Sequence, residues 1–379
     1  MNAAVTFKQH DHCCIIRKVE LTLIPEFAVL EENMDRVAYQ KKVSDYFSAA
    51  CVQMVIQLAK DVGILDILFS AEQILTSVEI ADQGKLKERY VREILAALAA
   101  SEVIQVDDSS TKFHIPEDHK SVLRAMSAYS KLEQLMVERM KRMKDVLTKD
   151  GPDGIRIDAA AFEAIEERRT ASQDTIIDND ILPCVPDVKN LLEKGIHVAE
   201  FGCAQGIILL NLAARYPKST FLGSDISESC LERGRTLAAD RGLTNITFQV
   251  YNVLDLPDTV SDKFDWIFLR DTLHDLPSPS KALRSVKKAL KKDGTASFVD
   301  FGMQGTLADH VGDIFWGRMY SVSTFFCIPE SFQGEHSDAY GPCWSVETVR
   351  QLMDEAGLTL VNMVFSEKHN GAVHYVCKQ

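Results

Sequence analysis

From about residue 196 to the end, the chain alternates short apolar segments of strand type with amphipathic segments of helix type. The strand-type segments are HVAEF, STFLGSD, NITFQVYN, FDWIFLRD and TASFVDFG. Strands that alternate with helices in this way pair as a parallel sheet with helices packed on it. Near the end, Ser345 predicts the N-cap of a last helix, and LTLVNMVFS and AVHYVCK predict an antiparallel strand pair. The second half of the chain is therefore predicted to be a doubly wound α/β domain.

A glycine-containing turn, VAEFGCAQG (198–206), joins the first of these strands to its helix. Glycines at such a junction let the backbone approach a ligand closely, and the helix N-terminus offers unpaired N–H donors. Asp225 ends the next strand, where a carboxylate accepts hydrogen bonds from both hydroxyls of a ribose. The pair of features predicts an adenosine-type ligand. The alternative is a turn selected only for tight packing of the helix on the sheet.

The turn resembles the signature of the class I S-adenosylmethionine-dependent methyltransferases, in which an acidic residue precedes a glycine-rich loop. The chain departs from the family at Ala204, where glycine is common, and at Asn252, where aspartate is common. Asp255 competes with Asn252 for contact with the adenine. The resemblance implies S-adenosylmethionine as cofactor, with its methionine end on Glu200 and the 202–206 loop and its ribose on Asp225. The full set of implied cofactor residues is Glu200, Gly202, Cys203, Ala204, Gly206, Asp225, Ile226, Asn252, Val253 and Arg270.

Residues 264–294 are similar to a segment of the plant-type and acetylserotonin-type O-methyltransferases, in which a His-Asp pair follows the fourth strand. The resemblance implies that His274 is the general base, that Asp275 lies beside the cofactor and that Arg270 lies near the adenine. A hydroxyl acceptor must lose its proton during methyl transfer, and a histidine that is neutral near pH 7 suits this task. The alternative is that His274 caps the next helix or bonds the backbone.

The N-terminal half shows the order helix, short helix, helix, hairpin, which is typical of a winged helix. It is similar to the dimerisation domain of the same O-methyltransferases, so we expect a homodimer. The alternative is a DNA reader, but the net charge is −13 and the bases of the candidate recognition helix alternate with acids. The expected domains are an N-terminal extension (1–40), a winged-helix domain (41–125), a helical linker or cover (126–190) and the cofactor domain (191–379).

An aromatic segment follows the fifth strand of the α/β domain. Its side chains either line an apolar pocket for the methyl acceptor or simply form core packing. The candidates for the pocket are Trp316, Tyr320, Phe325 and Phe326. We expect no metal, because no C-x-x-C pair is present. The absence of a signal-like or membrane-length apolar run predicts a cytoplasmic protein that contacts neither membrane nor nucleic acid.

The resemblance implies the strand order 3-2-1-4-5-7-6 and the transfer of a methyl group to a hydroxyl of a small molecule. Three alternatives stay open at this point. They are a small-molecule N-methyltransferase on the same scaffold, a non-catalytic regulator that binds S-adenosylmethionine, and a nicotinamide-dependent dehydrogenase.

Overall fold

The computed structural model describes residues 34–127, 130–156, 176–334, 336–366 and 371–379. Most of the expected N-terminal extension, and residues 157–175 of the expected linker, lie outside these ranges. The chain divides into two compact units, residues 1–53 and 54–379. Helix α1 (Arg36–Asp61) begins in the first unit and ends in the second. In the first unit, α1 exposes a set of large apolar side chains: Val37, Tyr39, Val43, Tyr46 and Phe47.

The second unit begins with the end of α1, which stops at Gly63 in a left-handed conformation with φ of 81°. Three helices and three short strands follow. The helices are α2 (Ile64–Ser70), α3 (Ser77–Gly84) and α4 (Glu88–Ala100), and the strands are β1 (Leu75–Thr76), β2 (Gln105–Val106) and β3 (Lys112–His114). The strands form a small sheet in the order β1-β3-β2, with both pairs antiparallel. This is the winged-helix order that the sequence predicts.

Local signals in the sequence explain these helices. Thr76 and Glu79 form a reciprocal capping box at the start of α3, so that two backbone N–H groups of its first turn are bonded. Helix α4 buries Val91, Leu95 and Leu98, which recur at helical spacing and pack into the core of this region. On its outer side two arginines are paired with acids of the same helix, Arg89 with Glu93 and Arg92 with Glu88.

Between the winged helix and the large sheet the described chain is mainly helical. The elements are α5 (Glu117–Ser127), α6 (Ser130–Val146), a π-helical turn (Ile177–Ile181), a 3-10 turn (Leu182–Cys184) and α7 (Val188–Lys194). The buried side chain of Arg139 on α6 donates to the backbone carbonyls of Ile155 and Arg156, which ties α6 to the segment that follows it.

The large sheet has seven strands. They are β4 (His197–Phe201), β5 (Thr220–Asp225), β6 (Ile246–Val250), β7 (Phe264–Arg270), β8 (Leu290–Phe301), β9 (Thr359–Phe365) and β10 (Ala372–Lys378). The spatial order is β6-β5-β4-β7-β8-β10-β9, and only β10 runs antiparallel to its neighbours. Counted from β4, this order is 3-2-1-4-5-7-6, which confirms the expectation.

Helices cover both faces of this sheet, because its nearly continuous apolar strands need to be buried on both sides. They are α8 (Ile207–Arg215), α9 (Glu228–Asp240), α10 (Pro279–Ala289), α11 (Ile314–Phe325), α12 (Cys327–Ser331) and α13 (Val346–Glu355). Along β7, Trp266 and Phe268 pack into one buried layer, and Ile267 and Leu269 pack into the other. None of the helices among the described residues has the length and apolar character needed to span a bilayer.

Candidate active site

The candidate site lies at the carboxyl edge of the parallel strands. Glu200 is the second-to-last residue of β4, Asp225 ends β5, and Arg270 ends β7. The direction in which strands are added reverses between β4 and β7, and ligands of open α/β sheets bind in the crevice outside such a reversal. The structure therefore brings the residues predicted from three separate motifs to one edge.

The loop after β4 needs its glycines because the neighbouring side chains leave no room. Gly202 and Gly206 have φ of 74° and 67°, and Gly206 starts α8. A Cβ on Gly202 would lie 2.4 Å from Cγ2 of Thr272, and one on Gly206 would lie 2.5 Å from the ring of Phe248. Ala204 between them also takes a left-handed conformation, with φ of 50°, which costs a non-glycine residue about 1 kcal/mol. The loop thus contains three consecutive even-numbered residues, 202, 204 and 206, in the left-handed conformation.

Asp225 holds this loop in place. Its Oδ2 accepts a hydrogen bond from the N–H of Ala204 at 2.8 Å, and its Oδ1 accepts one from the N–H of Ser227 at 2.9 Å. A carboxylate oxygen has two lone pairs, so each oxygen keeps capacity for a further donor such as a ribose hydroxyl. Ile226, the next residue, exposes a large apolar side chain at the same edge.

The predicted adenine residues lie in the loop after β6. Oδ1 of Asn252 accepts from the N–H of Leu254 at 3.0 Å, and its backbone carbonyl accepts from the N–H of Asp255. The two side chains are both exposed, whereas Val253 between them is buried in the core. This turn offers both Asn252 and Asp255 as acceptors, and the choice between them stays a prediction. Cys203 is buried in the loop after β4, where it fills a small space against Gly223.

His274 lies in the 3-10 turn after β7 (Leu273–Asp275) and is almost fully buried. Its Nδ1 is 2.5 Å from Oδ1 of Asp300, and its backbone N–H donates to Oδ2 of the same carboxylate. Its Nε2 is 3.2 Å from Oδ1 of Asp275. Because Asp300 accepts the proton of Nδ1, the lone pair of the neutral ring lies on Nε2. The turn thus presents one defined basic nitrogen.

The charges around His274 change its titration. Burial by itself would lower its pKa, but the charges of Asp275 and Asp300 and the hydrogen bonds to Asp300 and Cys327 outweigh burial. The pKa of His274 therefore lies well above its ordinary value. The two carboxylates thus favour the protonated form of the ring, whereas the sequence indicated a ring that is neutral near pH 7. The reason is the second carboxylate, Asp300, which the sequence analysis did not identify.

Two residues of this centre were missed from the sequence. Asp300 lies near the end of β8, so the rule that found Glu200 and Asp225 at strand ends would have found it too. Cys327 begins α12, and its thiol forms a hydrogen bond with His274. Burial raises the pKa of this thiol to about 12, and the charge of Asp275 acts in the same direction. No local motif marks Cys327, because only the tertiary fold brings α12 to the turn after β7.

The four aromatic candidates separate into two groups. Trp316 is buried in a cluster with Met303 and Met319, and the hydroxyl of Tyr320 lies 3.7 Å from the sulfur of Met303. Phe325 and Phe326 belong to a second cluster, which includes Cys327. The guanidinium of Arg139 lies 4.8 Å from the centre of the Phe326 ring. Trp316 and Phe326 thus have core packing roles, and pocket lining by the four stays a prediction.

Comparisons with known proteins agree with the fold described above. Residues 192–357 match the family described as "Methyltransferase domain", and residues 50–125 match the family "Rv2258c-like winged HTH domain". The chain is similar to the structure of an O-methyltransferase family protein from Burkholderia thailandensis, with 14% identity, a TM-score of 0.68, and coverage of 91% of this chain and 98% of that one. It is also similar to CalO1, a methyltransferase in calicheamicin biosynthesis solved with S-adenosylhomocysteine, with 16% identity, a TM-score of 0.64, and coverage of 91% and 99%.

The fold and these matches together define the class. Residues 192–357 match a methyltransferase domain, and a winged helix-turn-helix domain precedes it at residues 50–125. Among curated proteins it is 30% identical over 120 residues to the protein RP028 of Rickettsia prowazekii, which covers 30% of this chain and 47% of that protein. The chain thus spans about half the length of this curated relative.

Proposed function

We propose that this protein transfers a methyl group from S-adenosylmethionine to a hydroxyl group of a small molecule, with His274 as the general base. The observation that carries the proposal is the His274–Asp300 pair. A buried imidazole has its Nδ1 fixed at 2.5 Å from the Asp300 carboxylate, and its Nε2 lies 3.2 Å from Oδ1 of Asp275.

The residues of the crevice fit S-adenosylmethionine. The buried Glu200 carboxylate and the N–H groups of the loop after β4 suit the ammonium and carboxylate of the methionine end. Asp225, whose oxygens keep free lone pairs, suits the ribose. When bound, the cofactor supplies an electrophilic methyl group on a sulfonium. The O-methyltransferase and the S-adenosylhomocysteine-bound methyltransferase that share this fold support the same cofactor and a small-molecule acceptor.

The chain's own residues supply positioning and proton transfer. Alignment of the acceptor oxygen accounts for much of the rate of such a displacement. Nε2 of His274 takes the hydroxyl proton, and Asp300 and Asp275 stabilise the imidazolium that results. The raised pKa of His274 brings it closer to the value of about 10 of a phenol, so that the proton moves with a smaller energetic penalty. The same shift reduces the fraction of His274 that is unprotonated at a given pH.

N-methylation is the second candidate, and the same pKa shift favours it. A raised pKa leaves less unprotonated His274 to accept a proton, whereas a neutral amine is nucleophilic without a base. Phenols and anilines with identical ring substituents separate the two reactions when they are offered to the wild type and to His274→Asn. An O-methyltransferase methylates the phenol and loses this activity in the variant. An N-methyltransferase methylates the aniline, and the substitution has little effect.

We further propose that the protein is a homodimer that uses α1. The support is the row of exposed apolar side chains on this helix, since soluble proteins seldom leave so many exposed along one element. Phe47→Glu, which places a charge in the row, is expected to give a monomer in sedimentation velocity, whereas Gln40→Glu, at an exposed polar position of α1, is expected to leave the dimer intact. A wild type that sediments as a monomer contradicts this proposal.

A further inference from the structure

Three different metal-binding groups converge beside the proposed base. Nε2 or Nδ1 of His274, a carboxylate oxygen of Asp275 and Sγ of Cys327 all lie within 4.8 Å of one another. His274 and Cys327 are buried, and the Asp275 side chain is about one quarter exposed. The cluster therefore combines nitrogen, oxygen and sulfur donors, with the partly exposed side chain of Asp275 at its outer side.

The distances suit a tetrahedral ion. Two ligands of a zinc ion with bonds of about 2 Å are roughly 3.3 Å apart, and Nε2 of His274 lies 3.2 Å from Oδ1 of Asp275. Sulfur binds zinc at about 2.3 Å, which places it roughly 3.5 Å from the other two ligand atoms, so Sγ of Cys327, within 4.8 Å of them, needs to move by at most roughly 1.3 Å.

The surroundings of the ring also suit a metal. Histidines that bind metals donate their other N–H to a carboxylate or carbonyl, which fixes the ring and leaves a lone pair for the ion. Asp300 does this for His274 at 2.5 Å from Nδ1. The structure thus provides both the ligands and an outer carboxylate, although the sequence led us to expect no metal.

We propose that His274, Asp275 and Cys327 bind one Zn²⁺ ion, and that the bound ion inhibits methyl transfer. Three protein ligands leave the fourth position of the ion for water. The Sγ proton of Cys327 and any proton on Nε2 of His274 pass to the solvent, because the metal binds a thiolate and a neutral imidazole. The ion then occupies the lone pair that accepts the acceptor's proton. The inhibition rests on the proposed function of His274, but the binding does not.

The first test is metal binding by the full chain. The wild type is expected to bind one equivalent of Zn²⁺ in calorimetry and, with Co²⁺ as probe, to show the charge-transfer absorption of a thiolate ligand. Cys327→Ser is expected to lose both signals. Cys343→Ser, which alters another thiol whose pKa responds to His274, is expected to keep them. Asp300→Asn is expected to weaken zinc binding by on the order of 10–100-fold. A wild type without the cobalt–thiolate band, or a Cys327→Ser variant that keeps it, overturns the proposal.

Circular dichroism checks the fold of each variant. If Cys327→Ser fails to fold, Cys327→Ala and the spectrum of Cys343→Ser make the assignment, and the absence of the band from the wild type overturns the proposal without any variant. The second test is activity relative to each protein's own metal-free rate. Zn²⁺ is expected to inhibit the wild type and Cys343→Ser, and a chelator is expected to restore them. Zinc that binds through the thiolate and leaves the rate unchanged overturns the inhibition. A metal-free wild type that methylates no acceptor contradicts the proposed function and leaves the zinc site standing.

Discussion

Nδ1 of His274 lies 2.5 Å from Oδ1 of Asp300, and both residues are almost fully buried. His274 lies in the turn that follows β7, and Asp300 lies near the end of the neighbouring strand β8, where Arg270 of β7 is paired with Val299. The parallel register therefore sets a carboxylate beside the turn that follows β7. This one contact fixes the orientation of the imidazole and, together with Asp275, raises its pKa.

Replacement of Asp300 by asparagine should change the pH profile of the enzyme. The enzyme needs unprotonated His274, so the pH profile of kcat/KM is expected to have an ascending limb. The midpoint of this limb is expected above 6.5, the ordinary pKa of histidine. Asp300→Asn removes a negative charge, lowers the pKa of His274 and moves this limb to lower pH. The measurement is kcat/KM against pH with a chelator present. A limb in the same place in both proteins contradicts the role of Asp300.

Asp225→Asn should abolish tight cofactor binding. The amide of asparagine keeps the side-chain volume but replaces one of the two acceptor oxygens by a donor. It therefore cannot accept hydrogen bonds both from the backbone of the loop and from the ribose hydroxyls. Calorimetric titration with S-adenosylhomocysteine is expected to show a loss of about 10-fold or more, equal to 1.4 kcal/mol. The exposed Asp240→Asn at the end of α9 serves as the control. Equal affinity of the wild type, Asp225→Asn and Asp240→Asn for S-adenosylhomocysteine would show that Asp225 does not bind the ribose.

Ala204→Gly should stabilise the protein. Ala204 has φ of 50°, a conformation that glycine adopts without steric cost, although glycine also gains freedom in the unfolded chain. The net effect is expected to be a gain of up to about 1 kcal/mol in the free energy of unfolding. Urea unfolding of the two proteins measures it. A destabilised glycine variant would show that the alanine methyl group makes packing contacts worth more than the strain.

His374 should make the protein sensitive to acid. This buried histidine donates from Nδ1 to the carbonyl of Asp180, and burial lowers its pKa from 6.5 to about 4. The unfolded chain binds the proton more readily, so stability is full above about 6.5 and is lost as the pH falls toward 4, by about 3 kcal/mol in total. His374→Asn keeps a donor and does not titrate. Between pH 7 and 4, the urea concentration at the midpoint of unfolding should fall less steeply in this variant than in the wild type. Equal slopes in the two proteins would contradict the role of His374.

The sequence predicted the sheet well because each of its strands carries a local signal. The buried strands β4, β5 and β7 are continuous apolar runs, and glycines or acids mark where they end. The winged helix was likewise visible in the spacing of apolar residues in α4 and in the turn between β2 and β3. The strand order came from the family resemblance, since no local pattern encodes it.

The electrostatics of the site could not be predicted in the same way. The His274–Asp275 pair is contiguous in sequence, but Asp300 and Cys327 reach it only through the β7–β8 register and the placement of α12. The protonation of His274 depends on both carboxylates at short distance, and a motif that shows only one of them indicates a neutral ring. Burial of Trp316 and Phe326 likewise depends on which helices pack over them.

The role of His274 is tested by the rate of methyl transfer to a phenol by the wild type and by His274→Asn, with S-adenosylhomocysteine affinity measured in parallel. The wild type is expected to methylate the phenolic oxygen, and the variant is expected to be slower by on the order of 10²–10⁴-fold. Both proteins are expected to bind S-adenosylhomocysteine alike. A variant that methylates the phenol at the wild-type rate would contradict the assignment of His274 as the base.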